Sequence, residues 1–93
     1  MRGDAAQAET LYCRALAIKE NIFAPDNVEI ALTLHNLAVL YQAEERSAEA
    51  ATMFARALEI FTATLEPEHP HVIVCRENYE ELISSLPAVK DTE

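Results

Sequence analysis

Glycine is all but missing from this chain: the only one is Gly3. Loops that cradle phosphate bring backbone close to the ligand at positions that only glycine tolerates, so the Gly-rich nucleotide-binding motifs are excluded. Basic residues are scarce as well, seven Lys and Arg against sixteen Asp and Glu, for a net charge of -9. Nucleic-acid binding needs clustered cations, and here the few that exist are spread along an acidic chain. No apolar run approaches the roughly 18 to 20 residues needed to span a bilayer. Met1 to Thr10 lacks the apolar stretch of a secretory signal. A cytoplasmic protein with no membrane attachment is the expectation. The two cysteines, Cys13 and Cys75, are too few for a disulfide framework. Both are expected to be reduced thiols used as small apolar side chains.

What the chain does have is a repeat. Residues 5–42 recur as 47–84 at a constant offset of 42 positions, with ten identities among the 38 pairs, where composition alone gives roughly three. The segment from Leu11 to Ile18 aligns with that from Met53 to Ile60, Pro25 with Pro67, Asn36 with Asn78 and Leu40 with Leu82. The cysteines fall in different columns, opposite Ala55 and Thr33. An array of repeated helical hairpins characteristically offers a surface to another molecule, so an interaction module is expected rather than an enzyme.

Four helices are predicted. The first runs from about Ala5 to Asn21, with Asp4 and Gln7 forming a capping-box pattern, and its apolar positions Ala8, Leu11, Tyr12, Ala15, Leu16 and Ile18 follow helical spacing. The second, about Asn27 to Ala43, opens on Asp26 and Glu29 and carries the stripe Ala31, Leu34, Leu37, Ala38 and Tyr41. Ser47 starts the third, whose buried face should be Ala50, Phe54, Ala57, Leu58 and Phe61. The fourth spans about Pro70 to Leu86, with Pro70 in the first turn and Pro87 preventing continuation. Residues 1–87 therefore read as one repeat domain and 88–93 as a flexible tail. Connections this short make neighbouring helices antiparallel, which defines an all-α stack of hairpins.

The columns Leu34, Leu37-Ala38, Tyr41, Ala50, Phe54 and Ala57, with Ala8, Tyr12 and Ala15 upstream, resemble the tetratricopeptide repeat pattern. The 42-residue period, the run from Ala31 to Tyr41, Arg56 to Ile60 and the stretch Pro67 to Val72 look like the kinesin-light-chain variety of that repeat. The small alanines let the helices of a hairpin approach closely, while Leu34, Tyr41 and Phe54 fill the space around those points.

The resemblance implies a short α-solenoid whose concave groove binds an extended peptide. It places that groove on Leu32, His35, Asn36, Val39 and Gln42, and on the equivalent Val74, Glu77, Asn78, Glu81 and Ser84. An amide can pair with both the carbonyl and the N–H of an extended peptide, which makes Asn36 and Asn78 the sharpest candidates. Family members that hold a C-terminal carboxylate use Lys or Arg beside such an Asn. Here His35, Glu77 and Glu81 stand instead, so a neutral or basic peptide is the expected partner.

No catalytic residue, metal or cofactor is expected. His71 and Cys75 lie four apart with His69 and Glu68 nearby, but two ligands on one turn do not make a metal site. His35 reads as a solvated polar residue, with no Ser or Cys placed to act as its nucleophile. Arg76 and Glu80 replace the Leu34 and Ala38 of the preceding copy, so the fourth helix resembles a solvating cap. The first helix begins in mid-hairpin, leaving an apolar face that could be covered by a second copy through Ala8, Leu11, Tyr12 and Ala15. A homodimer is thus the alternative to the peptide-binding module.

Overall fold

The computed structural model describes residues 2–86, with side chains described from Asp4 onward. Within them are four helices, α1 (Arg2–Ile22), α2 (Val28–Ala43), α3 (Ser47–Thr64) and α4 (Pro70–Ser85). The expected tail, 88–93, and the Pro87 stop lie outside the described residues.

Cap chemistry differs from expectation at two helices. α1 starts at Arg2, so Asp4 lies inside its first turn and complements the helix dipole instead of capping it. At α2 the cap is Asn27, whose Oδ1 accepts from the Glu29 N–H at 2.8 Å, and Asp26 is not. The reason lies in the preceding turn, where the Asn27 N–H reaches the Ala24 carbonyl at 3.0 Å and leaves Asp26 inside the loop. Its repeat counterpart has the same shape: His69 N–H donates to Glu66 O at 2.9 Å, and His69 Nδ1 accepts from the His71 N–H at 3.0 Å. Backbone angles at Asn27 (-72°, 139°) and His69 (-63°, 137°) nearly coincide. One capping geometry is thus met by two unlike side chains. Pro70 occupies the first turn of α4 as expected.

Between α2 and α3 the chain turns without glycine. The Glu45 N–H donates to Gln42 O at 3.0 Å and the Arg46 N–H to Tyr41 O at 2.8 Å, the paired bonds of a Schellman ending. That ending puts Glu45 in the left-handed region, at φ 64°, where a Cβ is unfavourable.

α2 and α3 share the largest contact, with α1 packed on α2 and α4 on α3. Antiparallel order of the first pair is visible in its ends. Lys19, late in α1, reaches Glu29 and Thr33 early in α2, while Glu9, early in α1, reaches Tyr41 late in α2. The expected stripe of α2 is buried in full, joined by Ile30 and Thr33. On α3, Ala50, Phe54, Ala57 and Phe61 are buried as expected, whereas Leu58 is only partly covered and Ile60 takes the interior place. Burying a side chain such as Phe54 or Phe61 contributes about 1.5 to 3 kcal/mol, so this seam is the main source of stability. Among the described residues the one buried polar side chain, Thr33, donates its hydroxyl to Glu29 O at 3.2 Å and accepts from Lys19 Nζ at 3.0 Å.

Candidate functional site

The positions 32, 35, 36, 39 and 42 fall on one stripe of α2, and 74, 77, 78 and 81 on one stripe of α4. The two stripes meet where Asn78 Nδ2 lies 3.2 Å from His35 Nε2. α2 and α4 therefore approach each other at this point, although α3 separates them in sequence. Asn36, Val39, Val74, Glu77 and Glu81 are exposed; His35, Gln42 and Asn78 are half-buried. Leu32 is partly buried and packs against the core, so it belongs to the scaffold as much as to the face. Val39 and Val74 keep 44% and 46% of their surface in water, a cost that an unliganded core-facing valine would not carry.

His35 is not the freely solvated side chain expected. Its ring tilts against Phe54, centroids 5.5 Å apart, and Asn78 closes it from α4. Burial, with a smaller contribution from His71, holds this imidazole below the ordinary histidine value of 6.5. His71 itself stacks on Phe61 at 5.5 Å and lies two turns before Asn78, a spacing that puts it on the same side of α4. The pair of equivalent amides is consequently unequal: Asn78 is engaged, and Asn36 is open to solvent.

Cys75 is buried, and its thiol donates to Phe54 O at 3.7 Å; burial pushes it up to about 11, so it remains a neutral packing group. Cys13 is exposed, which corrects its expected role as a packed residue. Among the described residues no three His, Cys, Asp or Glu side chains come together to hold a metal ion. No helix among them is long and apolar enough to cross a membrane.

A second cluster was not legible beforehand. Arg46 bonds Glu49 twice, at 2.7 and 2.9 Å, Glu9 at 2.8 Å and Glu44 at 3.3 Å, and its guanidinium lies 4.2 Å from the Tyr41 ring centre. The Tyr41 hydroxyl donates to Glu9 at 3.2 Å. Hydrogen bonding from Arg46 holds the Glu9 and Glu49 carboxyls below the usual value of 4.5. Burial foremost, with Cys13 and Glu9 adding, pushes the Tyr41 phenol up to about 12. The cluster ties the start of α1 to the α2–α3 corner. Of the four residues assigned to self-association, Ala8, Tyr12 and Ala15 are half-buried and only Leu11 is exposed, with Ile18 and Ile22 extending its stripe.

Stacked helical hairpins with a 42-residue internal repeat, close-packed through small residues, define an α-solenoid. A tetratricopeptide repeat profile matches residues 1–63 and again 29–82, each match longer than one period. The chain belongs to the tetratricopeptide repeat family, whose domains generally serve as protein–protein interaction modules. No individual curated protein matches it.

Proposed function

We propose that this chain is a non-catalytic module that binds an extended peptide, neutral or basic, along the seam of α2 and α4, and that its repeat is of the kinesin-light-chain variety. The observation that carries the site is the exposure of Val39 and Val74 on adjoining stripes, each within a turn of an amide, Asn36 or Asn78. Apolar side chains give such a face its affinity and amides match the peptide backbone. Glu77 and Glu81 border it in a chain of net charge -9, so an acidic peptide is repelled and a basic one drawn in. Arrays of basic, neutral and acidic peptides test this by fluorescence anisotropy at two salt concentrations. Basic ligands should dominate, and bind more weakly as salt rises. A ligand set dominated by Asp and Glu contradicts it.

A second reading has its own support. Leu11, Ile18 and Ile22 are 61%, 52% and 67% exposed on one side of α1, and a second copy covering them would form a dimer. Sedimentation of the parent beside Leu11→Glu distinguishes the two: association that the substitution abolishes favours the dimer, while a monomer in both at millimolar concentration excludes it.

A further inference from the structure

In the contact of Asn78 with His35, at 3.2 Å, the amide Nδ2 is the atom turned to the ring Nε2. A carboxamide nitrogen donates and cannot accept, so in this orientation of the amide Nε2 accepts and His35 is neutral with its proton on Nδ1. The amide is thereby oriented. Its NH2 turns toward α2, and among the described residues Asn78 makes no other side-chain bond, so Oδ1 has no partner within the fold. The ring is held in place, half-buried against Phe54.

We propose that His35 sets the hydrogen-bonding polarity of Asn78, so that the amide offers a ligand an acceptor while His35 is neutral and a donor once His35 is protonated. The proposal rests on the peptide-binding reading of the α2–α4 face. Protonation adds a proton from solvent to Nε2, which becomes a donor; the old bond is lost, and a half-turn of the amide brings Oδ1 to accept from Nε2–H. Nδ2 then faces outward. In the neutral state Asn78 therefore selects an N–H of an extended backbone, whereas Asn36, exposed and unconstrained by such a partner, serves either group. The imidazolium also adds positive charge beside the carboxylates that draw a basic peptide.

The surroundings of His35 favour its neutral form. Phe54 faces it from α3, and Asn78 from α4, with His71 contributing a second, unfavourable charge whenever both rings are protonated. Cys75, also on α4, stays a thiol. On α1, Lys19 is paired with Glu29 and Thr33, Glu9 with Arg46 and Tyr41, and Glu20 with Arg56. The exposed Glu77 and Glu81 are the carboxylates of the α4 stripe.

Nuclear magnetic resonance of the 15N-labelled free chain tests this without any ligand. Long-range proton–nitrogen correlations should show the Nδ1–H tautomer of His35, and from about pH 8 to about pH 5 the Asn78 NH2 signals should follow a His35 midpoint below 6.5. The Asn36 NH2 should not follow it. In His35→Phe the Asn78 response should vanish, and in His71→Gln it should persist. An Nε2–H tautomer, or Asn78 signals that stay fixed while His35 titrates in the parent chain, overturns the proposal whether or not the variants fold. A blocked alternating Ala–Lys hexapeptide supplies the second arm, with binding about fivefold weaker at the acid end, the effect of one hydrogen bond. Equal binding at both ends contradicts the ligand consequence. The tautomer and coupled shifts without binding at either pH support the His35–Asn78 assignment and overturn the groove instead.

Discussion

The two copies of the repeat fold alike and end differently. α2 is enclosed by α1 and α3 and buries seven residues, from Ile30 to Tyr41; α4 buries three, Val72, Cys75 and Leu82. Those three match Ile30, Thr33 and Leu40 of α2 in the repeat. Columns that on α2 read Ala31, Leu34, Ala38 and Tyr41 read Ile73, Arg76, Glu80 and Ile83 on α4, and of these only Arg76 is even half-buried. A column is therefore apolar where a neighbouring helix covers it and is free to carry charge where none does. The groove stripe likewise keeps an apolar side chain exposed on each helix, Val39 and Val74, as the uncovered columns do with Ile73 and Ile83.

Exchanging residues between copies should break this comparison most severely. Ala38→Glu places in the α2–α3 seam the side chain that Glu80 carries in water, and should cost about 3 kcal/mol or more, as an unpaired buried charge. Glu80→Ala should stay within about 0.5 kcal/mol. Urea denaturation measures both, and similar effects for the two would mean that α4 is covered after all. Phe54→Ala, at the centre of the same seam, should cost about 3 to 5 kcal/mol.

Smaller effects sharpen the comparison at the caps. His69→Ala and Asn27→Ala should each lose about 1 kcal/mol, and His69→Asn should restore its helix, because the two turns share one geometry. A His69→Ala chain as stable as the parent would show that Nδ1 does not cap α4. Glu45→Gly should raise stability by about 0.5 to 1 kcal/mol, relieving the left-handed strain at the corner between the copies.

Acid should act chiefly through the Arg46 cluster and His35. Glu9 and Glu49 have folded-state values depressed below 4.5 by Arg46, so their contribution is present above that value and is lost as pH falls through the depressed range. His35 is depressed below 6.5, so its contribution is present above that value and is lost earlier in the descent. Thermal melts from about pH 8 to about pH 3 should therefore decline in two stages. Arg46→Gln should flatten the second and His35→Phe the first.

Helix positions and core stripes are legible in the sequence because each follows a 3.6-residue period and the repeat checks it twice. Family membership is legible for the same reason. The cap at Asn27 is obscured by Asp26 beside it, equally able to cap until the turn hydrogen bond is known. The Arg46 cluster joins side chains 37 positions apart, and His35 meets Asn78 across 43, distances at which no local pattern speaks. The left-handed residue at Glu45 is hidden because the expected marker, glycine, is missing there.

The central claim is that the α2–α4 face is the binding surface, and shift mapping with the tightest basic peptide from the array tests it most directly. Saturating peptide should move the side-chain amides of Asn36 and Asn78 and the methyls of Val39 and Val74, while Thr52 and Ala55 on the outer side of α3 stay still. Shifts concentrated on α3 or α1, with both amides unmoved, would contradict it.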